Sequence, residues 1–232
     1  MYKKGNEMIG IIAAMDMEVE AIEKLSTITK TEQVATCTLH YGTMHGKDIV
    51  IAKCGIGKTH AAMATAILCT QHNLEAIINI GTAGGLKDDQ QVLDIVISKM
   101  VVQADFDLTA LDGPDAYGLV YEPDQKLVDV CTTCAKDLGI RYHVGWIASQ
   151  DLFMSRKEDL DKLMAHFPES ACSEMEAGAI AQVAHSFQVP YVIVRALSDV
   201  AVHSDNPMEF SEYAPKASAQ SARLVETFIE RL

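Results

Sequence analysis

The sequence is poor in positive charge and contains no long apolar run. Lysine and arginine together number 19, against 32 aspartate and glutamate residues, so the formal net charge is −13. A chain of this charge repels a polyanion, and we therefore expect no nucleic-acid partner. Since no apolar stretch reaches the length of a membrane-spanning helix, we expect no membrane partner either.

An export signal and the cysteine pattern of secreted proteins are also absent. The apolar stretch 8–15 lacks a small-residue cleavage site and runs directly into Asp16 and Glu18. Among the six cysteines, only Cys131 and Cys134 have CxxC spacing, and they lie in a helical pattern without a second pair or a nearby histidine. We therefore expect reduced thiols in a cytoplasmic protein, with no metal and no cofactor.

Apolar segments typical of buried strands alternate with segments typical of helices. The predicted strands are 8–14, 34–41, 47–53, 76–80, 93–102, 142–149 and 191–197, and the predicted helices start or lie at 18–25, 59–72, 124–138, 156–166, 175–187 and 208–232. Residues 105–123 contain several glycines and prolines and indicate a long loop.

Strands with continuous apolar runs are covered on both faces. We therefore expect an α/β fold, a three-layer sandwich in which helices flank a central β-sheet. The glycines at 42–46 predict a hairpin, which makes that sheet mixed. Because the chain shows no linker or repeat, we expect one domain over residues 8–232, preceded by a flexible tail of residues 1–7.

Carboxylates stand at the ends of three predicted elements. Glu18 follows the first apolar strand, Glu176 begins a helix, and Asp199 follows the last apolar strand. Each alone is explained equally well as a charge flanking an element. Together they favour one cleft in which carboxyl groups donate or accept protons and bind hydroxyl groups, as cleavage of a bond to a sugar requires.

Two glycine-containing segments have competing interpretations. Residues 81–85, GTAGG, follow a predicted strand and either let the backbone approach a ligand or form an ordinary tight turn. Residues 52–59, AKCGIGKT, are similar to a P-loop whose first glycine is replaced by alanine. No apolar strand ends cleanly in a magnesium-binding aspartate, so a nucleotide hydrolase is the weaker interpretation.

Five segments, in order, resemble the 5'-methylthioadenosine/S-adenosylhomocysteine nucleosidases of the nucleoside phosphorylase/nucleosidase superfamily. They are IGIIAAMDMEV at 9–19, GIGK at 55–58, IGTAGG at 80–85, EMEA at 174–177 and VRALSD at 194–199. The resemblance implies a phosphorylase/hydrolase-like fold and a homodimer that serves methionine salvage. It also implies that the substrate is an adenine nucleoside, whose N-glycosidic bond is hydrolysed to give adenine and a thioribose.

The resemblance assigns catalytic roles to two carboxylates. Glu18 would orient and deprotonate the attacking water, and Asp199 would donate a proton to purine N7, supported by Ser198. The chemistry agrees with these roles. Breaking a ribosyl C–N bond creates oxocarbenium character on the sugar and negative charge on the leaving base, so it needs a base-activated water and an acid.

The resemblance also assigns a substrate-binding set. Glu176 would accept hydrogen bonds from the ribose hydroxyls, with Met175 beneath the sugar. Phe153 would stack on adenine, and the backbone of Met154 would read its edge. The remaining members lie beside the ribose, face the 5' substituent or belong to the matching motifs, and they are Met15, Ile56, Thr82, Gly84, Glu174, Arg195 and Phe210.

Two sequence features bear on the alternatives. Related phosphorylases carry an arginine where this chain has Asn79, and Glu18 would repel phosphate, so hydrolysis is favoured over a purine nucleoside phosphorylase.

The loop 103–123, expected near the partner's site in the dimer, has Ala104 and Leu111 where the family usually has histidine and phenylalanine. This change keeps a non-catalytic adenosine-binding module as an alternative, and methylthio, homocysteinyl and deoxyfutalosine-type 5' groups all remain candidates.

Overall fold

The computed structural model describes residues 6–201 and 206–232, with the backbone alone for 206–209. Residues 1–5 of the expected tail lie outside the described residues. In the described ranges the strands are β1 Met8–Ala13, β2 Thr27–Val34, β3 Cys37–Met44, β4 Lys47–Lys53, β5 Leu74–Gly85, β6 Ile95–Asp107, β7 Tyr117–Tyr121, β8 Tyr142–Ser149, β9 Ser170–Glu174 and β10 Tyr191–Val200. The helices are α1 Asp16–Glu23, α2 Lys58–Gln71, α3 Thr109–Asp112, α4 Gln125–Asp137, α5 Lys157–His166, α6 Ala177–Phe187 and α7 Asn206–Arg231.

The strands form one mixed sheet. β4, β1, β5 and β10 run parallel to one another, and the antiparallel strands β3 and β2 extend the sheet beyond β4. β10 also pairs with β6, and β6, β8 and β9 lead back to β5, so five strands close into a ring. The mixed sheet and the predicted hairpin between β3 and β4 are confirmed.

Helices cover both faces of the sheet. The sheet residues Ile9 and Ile11 face one apolar core, to which α1, α4 and α7 contribute, and Cys131 and Cys134 lie buried in it. Ile12 faces a second core, which is formed with α2 and α6. The expected three-layer α/β sandwich is therefore confirmed, and the CxxC pair fills the core. None of the helices in the described ranges is long and apolar enough to cross a membrane.

Three strands were not expected from the sequence, β2, β9 and, in a predicted loop, β7. β2 has the sequence TITKTEQV and is mostly exposed, so its residues do not show the apolar alternation by which a strand is recognised. It forms because it pairs along its length with β3. β9 is a run of five small or polar residues, SACSE, all of them buried between β5 and β8.

Two segments for which the sequence allowed a turn or predicted a loop contain regular structure. The segment 81–85 is not a turn but the end of β5, where Gly84 and Gly85 pair with both β9 and β10. The expectation of a loop throughout 105–123 is wrong as well, since the segment includes the end of β6, α3 and β7. β7 pairs with β6 across a register shift, and such pairing depends on tertiary context more than on residue type.

Candidate active site

A cavity with an empty volume of about 490 Å³ opens where β1, β5 and β10 end and where α1 and α6 begin. Twelve of the fourteen predicted site residues line it: Met15, Glu18, Ile56, Thr82, Gly84, Phe153, Glu174, Met175, Glu176, Ser198, Asp199 and Phe210. Sequence reasoning did not single out three further lining residues, Ala14, Ala83 and Ser173. Ala14 and Ala83 lie inside matching motifs, whereas Ser173 belongs to the unexpected strand β9.

The Glu18 carboxylate is fixed between two strand ends. Glu18 is the third residue of α1, and its Oε2 accepts hydrogen bonds from the amides of Ala14 at 2.9 Å and Met15 at 3.0 Å. Its Oε1 accepts one from the amide of Thr82 at 3.0 Å. Burial raises the pKa of Glu18, although the charge of Arg195 and the three amides act in the opposite direction. A carboxylate so placed can take up a proton without moving.

Arg195 and Glu174 form an ion pair inside the protein. Arg195 is 1% exposed and donates to the Glu174 carboxylate and, at 2.7 Å, to Oδ1 of Asn79. Its guanidinium lies over the backbone of Gly81, where a Cβ would come within 3.1 Å of Arg195 Cζ and closer still to Nη1. Because Gly81 has no side chain, the Arg195 guanidinium can pack directly against the backbone at this position.

The Glu174 carboxylate and the Arg195 guanidinium are both bound by groups of the protein itself. Besides Arg195, the Glu174 carboxylate accepts hydrogen bonds from the Ser149 hydroxyl and from the amides of Glu176 at 3.0 Å and Ala177 at 2.8 Å. It thus binds the free amides at the N-terminus of α6, where a negative charge is stabilised. Glu174 lines the cavity, but these bonds hold its carboxylate against protein groups. Arg195 is not among the residues that line the cavity.

Glu176 connects this buried charge cluster to the cavity. Its Oε1 accepts a hydrogen bond from the amide of Gly57 at 2.9 Å, and its Oε2 lies 3.6 Å from Arg195. Burial, together with the neighbouring charge of Glu174, raises the pKa of Glu176 to about 7, against the opposing effect of Arg195. Glu176 therefore changes its charge near neutral pH.

Asp199 reaches the cavity through a bulge in β10. The register between β10 and β5 shifts at Ser198, so Asp199 stands opposite Gly84, and bulges of this kind often redirect a side chain next to an active site. A Cβ on Gly84 would lie 3.0 Å from Asp199 Oδ2, so glycine leaves space for the carboxyl group. The Ser198 hydroxyl donates to Asp199 Oδ1 at 2.8 Å.

Apolar residues form the opposite wall. The rings of Phe153 and Phe210 meet edge to face with their centroids 5.6 Å apart, and Phe153 is 44% exposed. Met154 is buried and lines a smaller adjoining cavity instead of the main one. A flat aromatic ligand fits between such a wall and the carboxylates, because its faces are apolar and its edges are polar.

Carboxylates of the protein occupy two amides and the lysine of the P-loop-like turn. The Gly57 amide donates to Glu176, and the Lys58 amide donates to Asp151 Oδ1 at 2.8 Å. The Lys58 ammonium group pairs with Asp105. A phosphate cradle needs free amides and a free lysine, so the structure contradicts the nucleotide hydrolase interpretation.

The model of the phosphorylase superfamily matches residues 8–230. A 5'-methylthioadenosine/S-adenosylhomocysteine nucleosidase from Halalkalibacterium halodurans is 42% identical, over 97% of this chain and 98% of that protein. The structure of such a nucleosidase from Colwellia psychrerythraea in complex with adenine is similar with a TM-score of 0.91 and 36% identity, covering 100% of this chain and 98% of the other. Futalosine hydrolase of Helicobacter pylori also has a TM-score of 0.91, with 28% identity over 97% and 98% of the two chains.

Proposed function

The chain belongs to the 5'-methylthioadenosine/S-adenosylhomocysteine nucleosidases of the phosphorylase superfamily, and from this premise we propose that it hydrolyses the N-glycosidic bond of these nucleosides. The products are adenine and a thioribose. The observation that carries the proposal is the pairing of two buried carboxyl groups in one cavity, Glu18 beside β5 and Asp199 at the bulge of β10.

Glu18 is the proposed general base. It is 2% exposed, and its raised pKa makes it a better proton acceptor than a solvated carboxylate. Its three amide contacts fix the direction from which it would hold a water. The proton of the attacking water passes to Glu18, while the oxygen bonds to the anomeric carbon as the bond to the base breaks.

Asp199 is the proposed general acid. The electron pair of the breaking bond moves onto adenine, and a proton from Asp199 at N7 neutralises the charge that develops there. The hydrogen bond from Ser198 to Oδ1 orients the carboxyl group, and its 3% exposure excludes most competing water. An acid on the base and a base on the water side correspond to the two-carboxylate arrangement of glycoside hydrolysis.

The remaining side chains supply binding. The proposed ribose contact is Glu176, whose ionised carboxylate accepts hydrogen bonds from hydroxyl groups. Phe153 and the neighbouring backbone of Met154 are the proposed adenine contacts, supported by their position along two adjoining cavities. Met15, Ile56 and Phe210 are proposed to face the 5' substituent.

Hydrolysis is favoured over phosphorolysis by the charge of the cavity. Among its described lining residues none is lysine, arginine or histidine, and the nearby Arg195 is bound to Glu174 and Asn79. Among the described residues of this wall, a phosphate beside Glu18 would find no free cation to offset the repulsion. The presence of both acids, Glu18 and Asp199, in one cavity favours turnover over a non-catalytic adenosine-binding module.

We further propose one domain over residues 8–232 acting as a cytoplasmic homodimer in methionine salvage. The continuous sheet supports one domain, and the six buried free cysteines support a reducing compartment. Leu111 is 81% exposed in the segment 103–123, which supports an apolar contact with the partner's site. A sedimentation experiment that showed monomers would count against the homodimer. Limited proteolysis that released stable pieces would count against a single domain, and recovery outside the cytoplasm on cell fractionation would count against the cytoplasmic location.

Adenine release tests the proposed reaction. We expect release from 5'-methylthioadenosine and S-adenosylhomocysteine without phosphate, and a loss of roughly 10²- to 10⁴-fold in Glu18→Gln, since the base is removed. Glu20→Gln, an exposed glutamate on the same helix, is the matched control and should behave as wild type. Release that requires phosphate would identify a phosphorylase, and binding without release would identify a binding module.

A further inference from the structure

The turn that resembles a P-loop joins two walls of the cavity. It leads from β4 to α2, and its amides bind carboxylates from different elements: Gly57 binds Glu176 at 2.9 Å, and Lys58 binds Asp151 at 2.8 Å. Glu176 stands on the proposed ribose side. Asp151 begins the segment that carries Phe153 on the proposed adenine side. The start of α2 stabilises both negative charges, since helix N-termini carry a partial positive charge.

Asp151 is held by a second contact that closes a ring. Its amide donates to Asp105 Oδ2 at 2.9 Å, while Asp105 Oδ1 pairs with the Lys58 ammonium group. The side chains of Lys58 and Asp105 are only 15% and 33% exposed. An isolated surface ion pair contributes little to stability. Here, in contrast, each of the three residues makes two contacts within the ring, so each restricts the others.

The first two residues after Asp151 depend on such contacts because packing covers them only in part. Phe153 is 44% exposed and Leu152 is 37% exposed, and Phe210 meets the Phe153 ring edge-on. An aromatic side chain that stacks on a base must have its plane set before the ligand arrives, otherwise binding loses the free energy needed to order it. The ring of contacts fixes the backbone two residues before Phe153.

We propose that Asp151, oriented by Lys58 and Asp105, is a positioning residue that holds Phe153 ready for adenine. The inference rests on the proposed nucleosidase function and concerns its adenine subsite. Gly57 has a part in the same arrangement, because a Cβ there would lie 3.3 Å from Asp151 Oδ1 and its φ of 101° favours glycine. The P-loop-like sequence thus binds two carboxylates of the protein itself, those of Glu176 and Asp151, in place of a phosphate.

Two substitutions at one position test the inference. Asp151→Ala removes the acceptor of the Lys58 amide, whereas Asp151→Asn keeps an oxygen at that place. We expect Asp151→Ala to raise both KM for 5'-methylthioadenosine and the Kd of adenine about tenfold or more, with kcat changed less than about threefold. Asp151→Asn should restore most of the affinity. Arg231→Ala, which breaks an exposed ion pair with Asp137, should leave all three constants unchanged.

The readouts separate positioning from a general loss of stability. A destabilised protein has fewer active molecules, so kcat falls while KM and the Kd of adenine stay constant. That pattern in Asp151→Ala would overturn the inference, as would an adenine affinity within about twofold of wild type. If wild type itself released no adenine, the proposed function would fail, and the adenine Kd values of the two variants would still decide the inference.

Discussion

Gly81→Ala should destabilise the protein by displacing a buried guanidinium. A Cβ at this position would lie 3.0 Å from Glu18 Oε1, 3.1 Å from Arg195 Cζ and closer still to Arg195 Nη1. Non-bonded contacts settle at about 3.5–4.0 Å, so the guanidinium must move. Although it ends a long side chain, it has no freedom to do so, because it is fully buried and bonded to Glu174 and Asn79.

The expected size follows from the ion pair that is lost. Breaking a buried pair while leaving the partner charged costs about 3–5 kcal/mol. In a domain of this length each kcal/mol lowers Tm by about 2–4 °C, so Gly81→Ala should lose roughly 6–20 °C. Adenine release should fall as well, since the Cβ also presses on Glu18.

A neighbouring glycine provides the control. Gly10 lies on β1 beside β5, and a Cβ there would meet the nearest atoms, Leu68 Cδ1 and Leu74 Cδ2, at 3.4 and 3.5 Å. Gly10→Ala should therefore cost less than about 1 kcal/mol. The comparison requires thermal unfolding curves and adenine release rates for both variants. Equal Tm values, with activity retained in Gly81→Ala, would show that Arg195 is not fixed as described.

Two further predictions concern the acids. Asp199→Asn should keep the hydrogen bond to Ser198 but lose the proton donor, so kcat should fall by roughly 10²- to 10⁴-fold with KM little changed, and a wild-type kcat would refute its role. The pKa of Glu176 is raised to about 7 in the folded state, against 4.5 in the unfolded chain. The folded state therefore keeps a proton on Glu176 that the unfolded chain releases near pH 4.5. The resulting stabilisation of the folded state is fully present below pH 4.5 and is lost as the pH rises through about 7. Over the same range ionised Glu176 should bind ribose hydroxyls better, so KM should fall as stability falls, and Glu176→Gln should flatten both pH profiles.

Much of the candidate site could be predicted because its residues end regular elements. Continuous apolar runs predicted β1 and β10, and the acids that follow them had to meet at one edge of a parallel sheet. The glycines of β5 indicated a close approach to the backbone, and in the structure Gly81 and Gly84 leave space for the side chains of Arg195 and Asp199. Side-chain partners could not be predicted in this way, because Glu174 and Arg195 are 21 residues apart in sequence and bind each other only once β9 lies between β5 and β8.

The sequence by itself determined the α/β class, the positions of the apolar strands and the acids that are candidates for catalysis, since these follow from local periodicity and residue type. Only the tertiary structure decided the rest. β2 and β9 carry no apolar pattern and form because neighbouring strands offer hydrogen bonds to them. The P-loop-like turn has the residues of a phosphate site, yet its amides bind Glu176 and Asp151. Folding brings those carboxylates to the start of α2 from more than 90 residues away.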